Sequence, residues 1–472
     1  MRIRLPFRTG VTAEVPRFGI RVLQVRSAMK RISIGICFAM LLCLASSAYG
    51  QCPPGLPPGT TCVAGQDANG AFFLMAVPAN YNHRLVLWNH GYSLSPPAPL
   101  TAGDLGLAGG VLPFGFAAAA SSYRPDAFGL GGWTVKDGAE DTENLRQRFV
   151  EMFGQPDLTL VTGASEGGLI TAEIEERFGR DKNGKLNYNG SLPLCGPNAG
   201  GRRNWYGGFD LRVVYQYYCQ NLPRSSEMQY PLYFGLAPNN TLSLNDVVGR
   251  INECTGVLQP AATRTAQQAQ NLANILNVTQ APESFLLTDM FFGTFALAEL
   301  VQVRTHGLNP VTNLGVHYHG STDDAALNAG VFRAGPNDTA EDFLDSAYDP
   351  TGRIHIPTLT LHTIGDGLVI VENENAYRHT VEEAGHENLL QQNYTNANGH
   401  CDFSNSEILA SFQALMGWVE SGHKPTREDV ANFCKANAAL LGDTCNLNLD
   451  FHPKAFNTRV APRAAEPQNE DE

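Results

Sequence analysis

Between Leu158 and Phe178 the chain runs from β-forming residues (Leu158, Thr159, Leu160, Val161, Thr162) straight into Gly163-Ala164-Ser165-Glu166-Gly167-Gly168. It continues into a helix-compatible stretch, Leu169 to Phe178. A serine set in Gly-x-Ser-x-Gly between strand and helix occupies a strained turn that pushes its hydroxyl out of the sheet. The two backbone limbs nearly touch there, so the flanking positions have to be small, and Gly163 and Gly167 are. Gly168 is read as added slack. This one stretch dictates a strand that ends at a sheet edge with a helix folding back beside it, which is the unit of an α/β architecture.

The rest of the chain repeats that unit. A hairpin is predicted over 62–81, with Ala71 to Val77 as one arm. Short apolar strands follow at Leu85–Trp88, Phe114–Ala120, Leu158–Thr162 and Ser191–Leu194. Between them, Asp137 to Phe153 carries Leu145, Phe149 and Met152 at helical spacing. The alternation stops near 198 and resumes at Ile356–His362, followed by a helix near Val371–Ala384, a strand at Leu389–Tyr394 and an amphipathic helix at Ser406–Val419. Short continuous apolar strands alternating with helices predict a doubly wound, mostly parallel sheet covered on both faces. Residues 198–353 are aromatic-rich, then Gln/Ala-rich, then Gly/Asp-rich, and read as a cap insertion. The expected division is therefore 1–50 upstream segment and leader, 51–197 first part of the core, 198–353 cap, 354–458 second part of the core, and a disordered Ala/Pro/Glu-rich tail over 459–472.

The 33 Lys and Arg against 46 Asp and Glu give a net charge of −13. Eight of the Lys and Arg and one acid, Glu14, fall in the first 50 residues, so the remainder is more acidic still. That excludes the clustered cations a nucleic-acid backbone needs. Lys30 and Arg31 precede an apolar run, Ile32 to Ala45, and Ala48-Tyr49-Gly50 supplies small residues at the cleavage-specifying positions. This reads as an export signal cut before Gln51, with Met29 as the start, and with no membrane attachment afterwards because the run is too short to span. The protein is expected to be secreted or periplasmic. Beyond the leader, eight cysteines remain: Cys52, Cys62, Cys195, Cys219, Cys254, Cys401, Cys434 and Cys445. In an oxidising compartment an even set reads as disulfides. Cys52 with Cys62 and Cys434 with Cys445 close local loops, Cys219 with Cys254 staples the insertion, and Cys195 is left for Cys401. No pattern suggests a metal ligand set.

A serine nucleophile needs a base to take its proton and an acid to orient that base. Asp366, in the Gly-flanked turn Ile364-Gly365-Asp366-Gly367 after a strand, is the expected acid, with Glu372 or Glu374 as substitutes. His400, in Asn398-Gly399-His400-Cys401 after the last strand, is the expected base. Each stands at the carboxyl end of its strand, the edge where open α/β sheets hold ligands. His90 is read as a support for its loop, and His355, His362, His379 and His386 as surface or core residues.

Asn89-His90-Gly91-Tyr92, Gly163 to Gly168, Gly365-Asp366-Gly367 and Gly399-His400-Cys401 together resemble the α/β-hydrolase family of serine hydrolases, most of all its secreted, capped bacterial esterase- and amidase-like members. The resemblance covers roughly 65–197 and 354–420. It implies Ser165 as nucleophile, His400 as general acid and base, and Asp366 as the residue fixing the His400 tautomer. It also implies an oxyanion hole from the backbone N–H groups of Glu166 and Tyr92, with the Tyr92 ring as a wall for the acyl group. The implied reaction is hydrolysis of a small-molecule carboxylic acyl ester through an acyl-enzyme, or of an acyl amide by the same machinery, with no cofactor. Tannase-like members carry a cysteine directly before the serine, bonded to one after the histidine. Here Ala164 stands there, so Cys401 has to pair elsewhere.

Overall fold

The computed structural model describes residues 48–49 and 52–463. The leader and its cleavage site therefore lie outside the described residues, apart from Ala48–Tyr49. Among the described residues nine strands form one sheet: β1 (Ala48–Tyr49), β2 (Thr61–Gln66), β3 (Phe72–Val77), β4 (Arg84–Asn89), β5 (Ala117–Ser121), β6 (Leu158–Ala164), β7 (Gly190–Leu194), β8 (Thr358–Thr363) and β9 (Leu390–Thr395). Their order is β1-β2-β3-β5-β4-β6-β7-β8-β9. The pairs from β1 to β5 across β3 are antiparallel, and every pair from β5 through β9 is parallel.

The strands are apolar on both sides because both faces are covered. Leu85, Leu87, Ala117, Ala119 and Val161 point into one cluster with Leu145 and Phe149 of α1 (Val135–Phe153) and Leu169, Ile170 and Ile174 of α2 (Glu166–Arg177). Their neighbours Val86, Trp88, Ala118, Ala120, Leu160, Leu192 and Leu361 point into a second, packed by Ala410, Ala414 and Leu415 of a helix at Asn405–Ser421 and by Val430 of another at Arg427–Leu441. Alternate residues of one strand thus feed opposite layers, as the pleat requires. A mostly parallel sheet wound with helices on both faces, entered through an antiparallel edge, is the α/β-hydrolase fold.

The chain runs from β4 to β5 on one side and then returns to β6 on the other, so the winding reverses at β4, with the carboxyl ends of β4 and β6 side by side. That crevice is where such a sheet holds a ligand.

Between β7 and β8 the chain adds no strand. It forms helices instead, chief among them α3 (Gly201–Cys219) and α4 (Glu283–Arg304), the latter interrupted by π turns at Phe292–Ala296 and Leu300–Arg304. These helices do not build a core of their own. Trp205, Phe209 and Val213 of α3 and Met290, Leu297 and Leu300 of α4 belong to the same cluster as one face of the sheet. Ties between insertion and sheet layers are also polar. The Glu299 carboxylate accepts from Trp133 N–H at 3.0 Å and from Arg304 Nε at 2.6 Å, and Arg304 in turn donates to the Gly131 carbonyl at 3.2 Å.

Of the tail expected to be disordered over 459–472, residues 459–463 are packed, which corrects its start, and the rest lies outside the described residues. The Arg463 side chain is buried, donates to the Thr312 carbonyl at 2.8 Å and to Asp210 Oδ2 at 2.9 Å, and lies over the Tyr206 ring at 4.7 Å. Composition gave the wrong answer there because one buried ion pair outweighs several residues of weak preference.

Candidate active site

Ser165 sits between β6 and α2 with φ +61° and ψ −128°, a backbone conformation that non-glycine residues rarely hold. The neighbouring glycines make it sterically feasible. A Cβ on Gly163 would overlap the Gly167 carbonyl, and one on Gly167 would overlap the Asn89 carbonyl. Gly168 is required as well: its Cβ would lie 2.8 Å from Gly196 Cα and from the Leu194 carbonyl, so it permits close packing of α2 on the segment after β7 rather than adding slack.

Asp366 lies in the turn after β8. Its Oδ1 accepts from the N–H groups of Leu368 and Val369, both at 3.0 Å, which fixes the carboxylate plane. His400 lies in the loop after β9. The two loops are knit together by Gly365 N–H to the Ala397 carbonyl at 2.8 Å and Thr363 Oγ1–H to the Gly399 carbonyl at 2.8 Å. Three residues far apart in sequence thereby meet. His400 Nδ1 is 2.7 Å from Asp366 Oδ2, and His400 Nε2 is 2.8 Å from Ser165 Oγ. A carboxylate only accepts, so Nδ1 carries the proton and Nε2 is left to accept from the serine hydroxyl. The substitute acids are elsewhere: Glu374 binds Thr360 and Gln392, and Glu372 faces Arg459.

All four expected cysteine pairs are bonded: Cys52–Cys62, Cys195–Cys401, Cys219–Cys254 and Cys434–Cys445. Cys195–Cys401 links the end of β7 to the residue beside His400, and Ser165 N–H donates to the Leu194 carbonyl at 3.0 Å, so serine and histidine are both referred to the same strand.

The loop after β4 brings Gly91 against the serine. A Cβ on Gly91 would stand 3.1 Å from Ser165 Cβ and 3.5 Å from Ser165 Oγ. His90 supports that loop as expected. Its ring stacks on Tyr123 at 4.1 Å, its Nδ1–H donates to the Gly91 carbonyl at 2.7 Å, and Tyr123 Oη–H donates to the His90 carbonyl at 3.0 Å. Burial lowers its pKa, which keeps the ring neutral. Glu166 and Tyr92 flank the serine. The Glu166 N–H is among the first of α2, which have no partner within a helix. The Glu166 carboxyl is buried and accepts from Thr134 N–H at 2.5 Å; burial pushes its pKa up to about 8.

Ser165, Glu166 and Tyr92 open into a cavity of about 370 Å³. Aromatic walls come from Tyr92, Trp133, Trp205 and Phe292, with Tyr92 and Phe292 ring centres 5.1 Å apart and Trp133 and Trp205 5.4 Å apart. Asp289 of α4 also lines it, and burial holds that carboxyl well above its ordinary range. Sequence reasoning missed Trp133, Asp289 and the segment Phe456–Ala461, which forms one wall. Among the described residues no group of three or more His, Cys, Asp or Glu could hold a metal ion.

No family model matches the chain. An o-phthalyl amidase from Xanthobacter agilis is 27% identical over 77 residues, which is 16% of this chain and 17% of that protein. Among solved structures, tannin acyl hydrolase from Aspergillus niger aligns over 78% of this chain and 79% of its own at 12% identity and a TM-score of 0.47. An esterase from Aspergillus oryzae aligns over 78% and 80% at 13% identity and a TM-score of 0.41. The Pyrococcus furiosus esterase Pf2001 aligns over 78% and 93% at 11% identity and a TM-score of 0.37.

Proposed function

We propose that the protein is an exported serine hydrolase that cleaves a carboxylic acyl ester. The observation that carries this reading is the hydrogen-bonded chain from Ser165 through His400 to Asp366, at 2.8 and 2.7 Å, beside a cavity that Ser165 lines. Ser165 Oγ attacks the acyl carbon while His400 Nε2 takes its proton, and Asp366 holds the tautomer that leaves Nε2 free to do so. Charge developing on the carbonyl oxygen meets the N–H groups of Glu166 and Tyr92; each such donor is worth about 3–4 kcal/mol in the transition state. His400 then protonates the leaving oxygen, and the acyl group stays on Ser165. Water, deprotonated by His400, releases the acid and restores the serine. These steps need no cofactor.

The aromatic walls and the 370 Å³ cavity suit a compact acyl group. The four disulfides support an oxidising compartment such as the periplasm or the exterior. The short likeness to an amidase favours an acyl amide as the second reading. There His400 has to protonate a leaving nitrogen instead.

A fluorophosphonate probe decides the nucleophile: it is expected to label the wild type and leave Ser165→Ala unlabelled. Equal labelling of the two overturns the assignment. Matched esters and anilides of one acyl series then separate the two readings.

A further inference from the structure

A second histidine stands directly behind the first. His362, on β8, is fully buried, as are Glu374 and Thr360, and Asp366 is 3% exposed. The His362 Nε2 is 2.8 Å from the Val369 carbonyl oxygen, an atom that only accepts, so Nε2 carries a hydrogen. The same nitrogen is 3.8 Å from Asp366 Oδ2, the oxygen that His400 uses. The other nitrogen, Nδ1, is 3.3 Å from Glu374 Oε1. Glu374 is arranged as an acceptor: its Oε2 takes Thr360 Oγ1–H at 2.6 Å and Gln392 Nε2–H at 2.6 Å. Donors converging on a carboxylate favour its charged form. Glu374 therefore takes a proton bond from Nδ1 as well, and both ring nitrogens carry hydrogen.

We propose that His362 is a buried imidazolium and a positioning residue for the site, paired with Glu374 on one side and countering the Asp366 carboxylate on the other. The inference rests on the proposed roles of Asp366 and His400. The proton moves only between Ser165, His400 and the reacting groups, and neither Asp366 nor His362 takes it up during turnover. Its charge holds a second anion in a fully buried place, and its ring pins the Asp366 turn through Val369. Titratable groups facing the ring are Asp366 from its own loop, Glu374 from the helix Glu372–Glu383, and Tyr394, its partner across β9, on which Arg427 stacks at 4.9 Å. The flanking carboxylates outweigh burial and raise the His362 pKa.

The test has a spectroscopic arm and a kinetic arm. In wild-type protein carrying ¹⁵N-histidine, the His362 ring nitrogens are expected in the imidazolium range at pH 7, and Glu374→Gln is expected to return the ring to a neutral tautomer. His362→Gln keeps a donor for the Val369 carbonyl and removes the charge. It is expected to lower kcat by on the order of tenfold to a hundredfold with KM little changed, the scale of a small misplacement. A positive charge behind Asp366 opposes a second one at His400, so its loss also moves the acid limb of kcat/KM upward, by on the order of one pH unit. A neutral His362 ring in the wild type at pH 7 overturns the proposal, as does a folded His362→Gln with an unmoved acid limb. The spectroscopic arm decides the charge even if Ser165→Ala shows that the chain is no serine hydrolase.

Discussion

Ser165 shows how much of a site one residue can fix. Its positive φ exists because Gly163 and Gly167 let the backbone of β6 and α2 pass within touching distance of the Asn89–His90 segment. Gly167→Ala is therefore expected to cost about 1–3 kcal/mol or more by the scale of buried overpacking, with soluble yield falling accordingly; urea unfolding measures it. This geometry was legible in the sequence because glycine spacing maps directly onto backbone clearance. The place of Asp366 beside His400 was legible for a similar reason, since a Gly-flanked turn past a strand sets a side chain at the carboxyl edge of the sheet. Trp133 and Asp289 were not, because nothing in their local context says that they face the same cavity as Ser165. Glu166 adds a pH dependence. Its folded carboxyl titrates near 8 against an ordinary 4.5, so the folded state holds a proton that the unfolded chain gives up above 4.5. The resulting stabilisation is complete below pH 4.5 and is lost as the pH climbs to about 8. Urea midpoints are expected to fall across that window, and to fall less steeply in Glu166→Gln.

The elements best read in advance were short continuous apolar runs bounded by turn residues, and one helix with a one-sided apolar stripe. Strands at 85–88, 158–162 and 191–194 and the helix at 137–153 appear within a few residues of expectation. Helices α3 and α4 went unread because they are buried on several sides, in α3 with Asp210 and Arg212 among the buried residues, and so lack the one-sided stripe that marks a surface helix. The last strands depend on a covalent tie. Cys195–Cys401 spans 206 residues and anchors the His400 loop to β7. Replacing both cysteines with serine is expected to lower stability by about 2–4 kcal/mol. It should also reduce kcat more than it raises KM, because the imidazole rather than the cavity wall loses its anchor; thermal unfolding and steady-state kinetics report the two effects separately.

Across the whole molecule, the segment after Pro453 matters out of proportion to its size. Arg463 is the buried countercharge of Asp210, whose other oxygen accepts from Tyr318 Oη–H at 2.6 Å. Arg463→Ala strands that carboxylate and is expected to cost about 3–5 kcal/mol in urea unfolding, with a looser hold on bulky acyl groups than on acetyl. There is a consequence for the life of the chain. Residues 456–461 complete the wall around Ser165, yet they are synthesised after every strand and nearly every helix. A chain cut back before Phe456 would keep Ser165, Asp366 and His400 and lose one side of the cavity, so the last turn of chain shapes the room beside Ser165 without touching the hydrogen bonds that hold it.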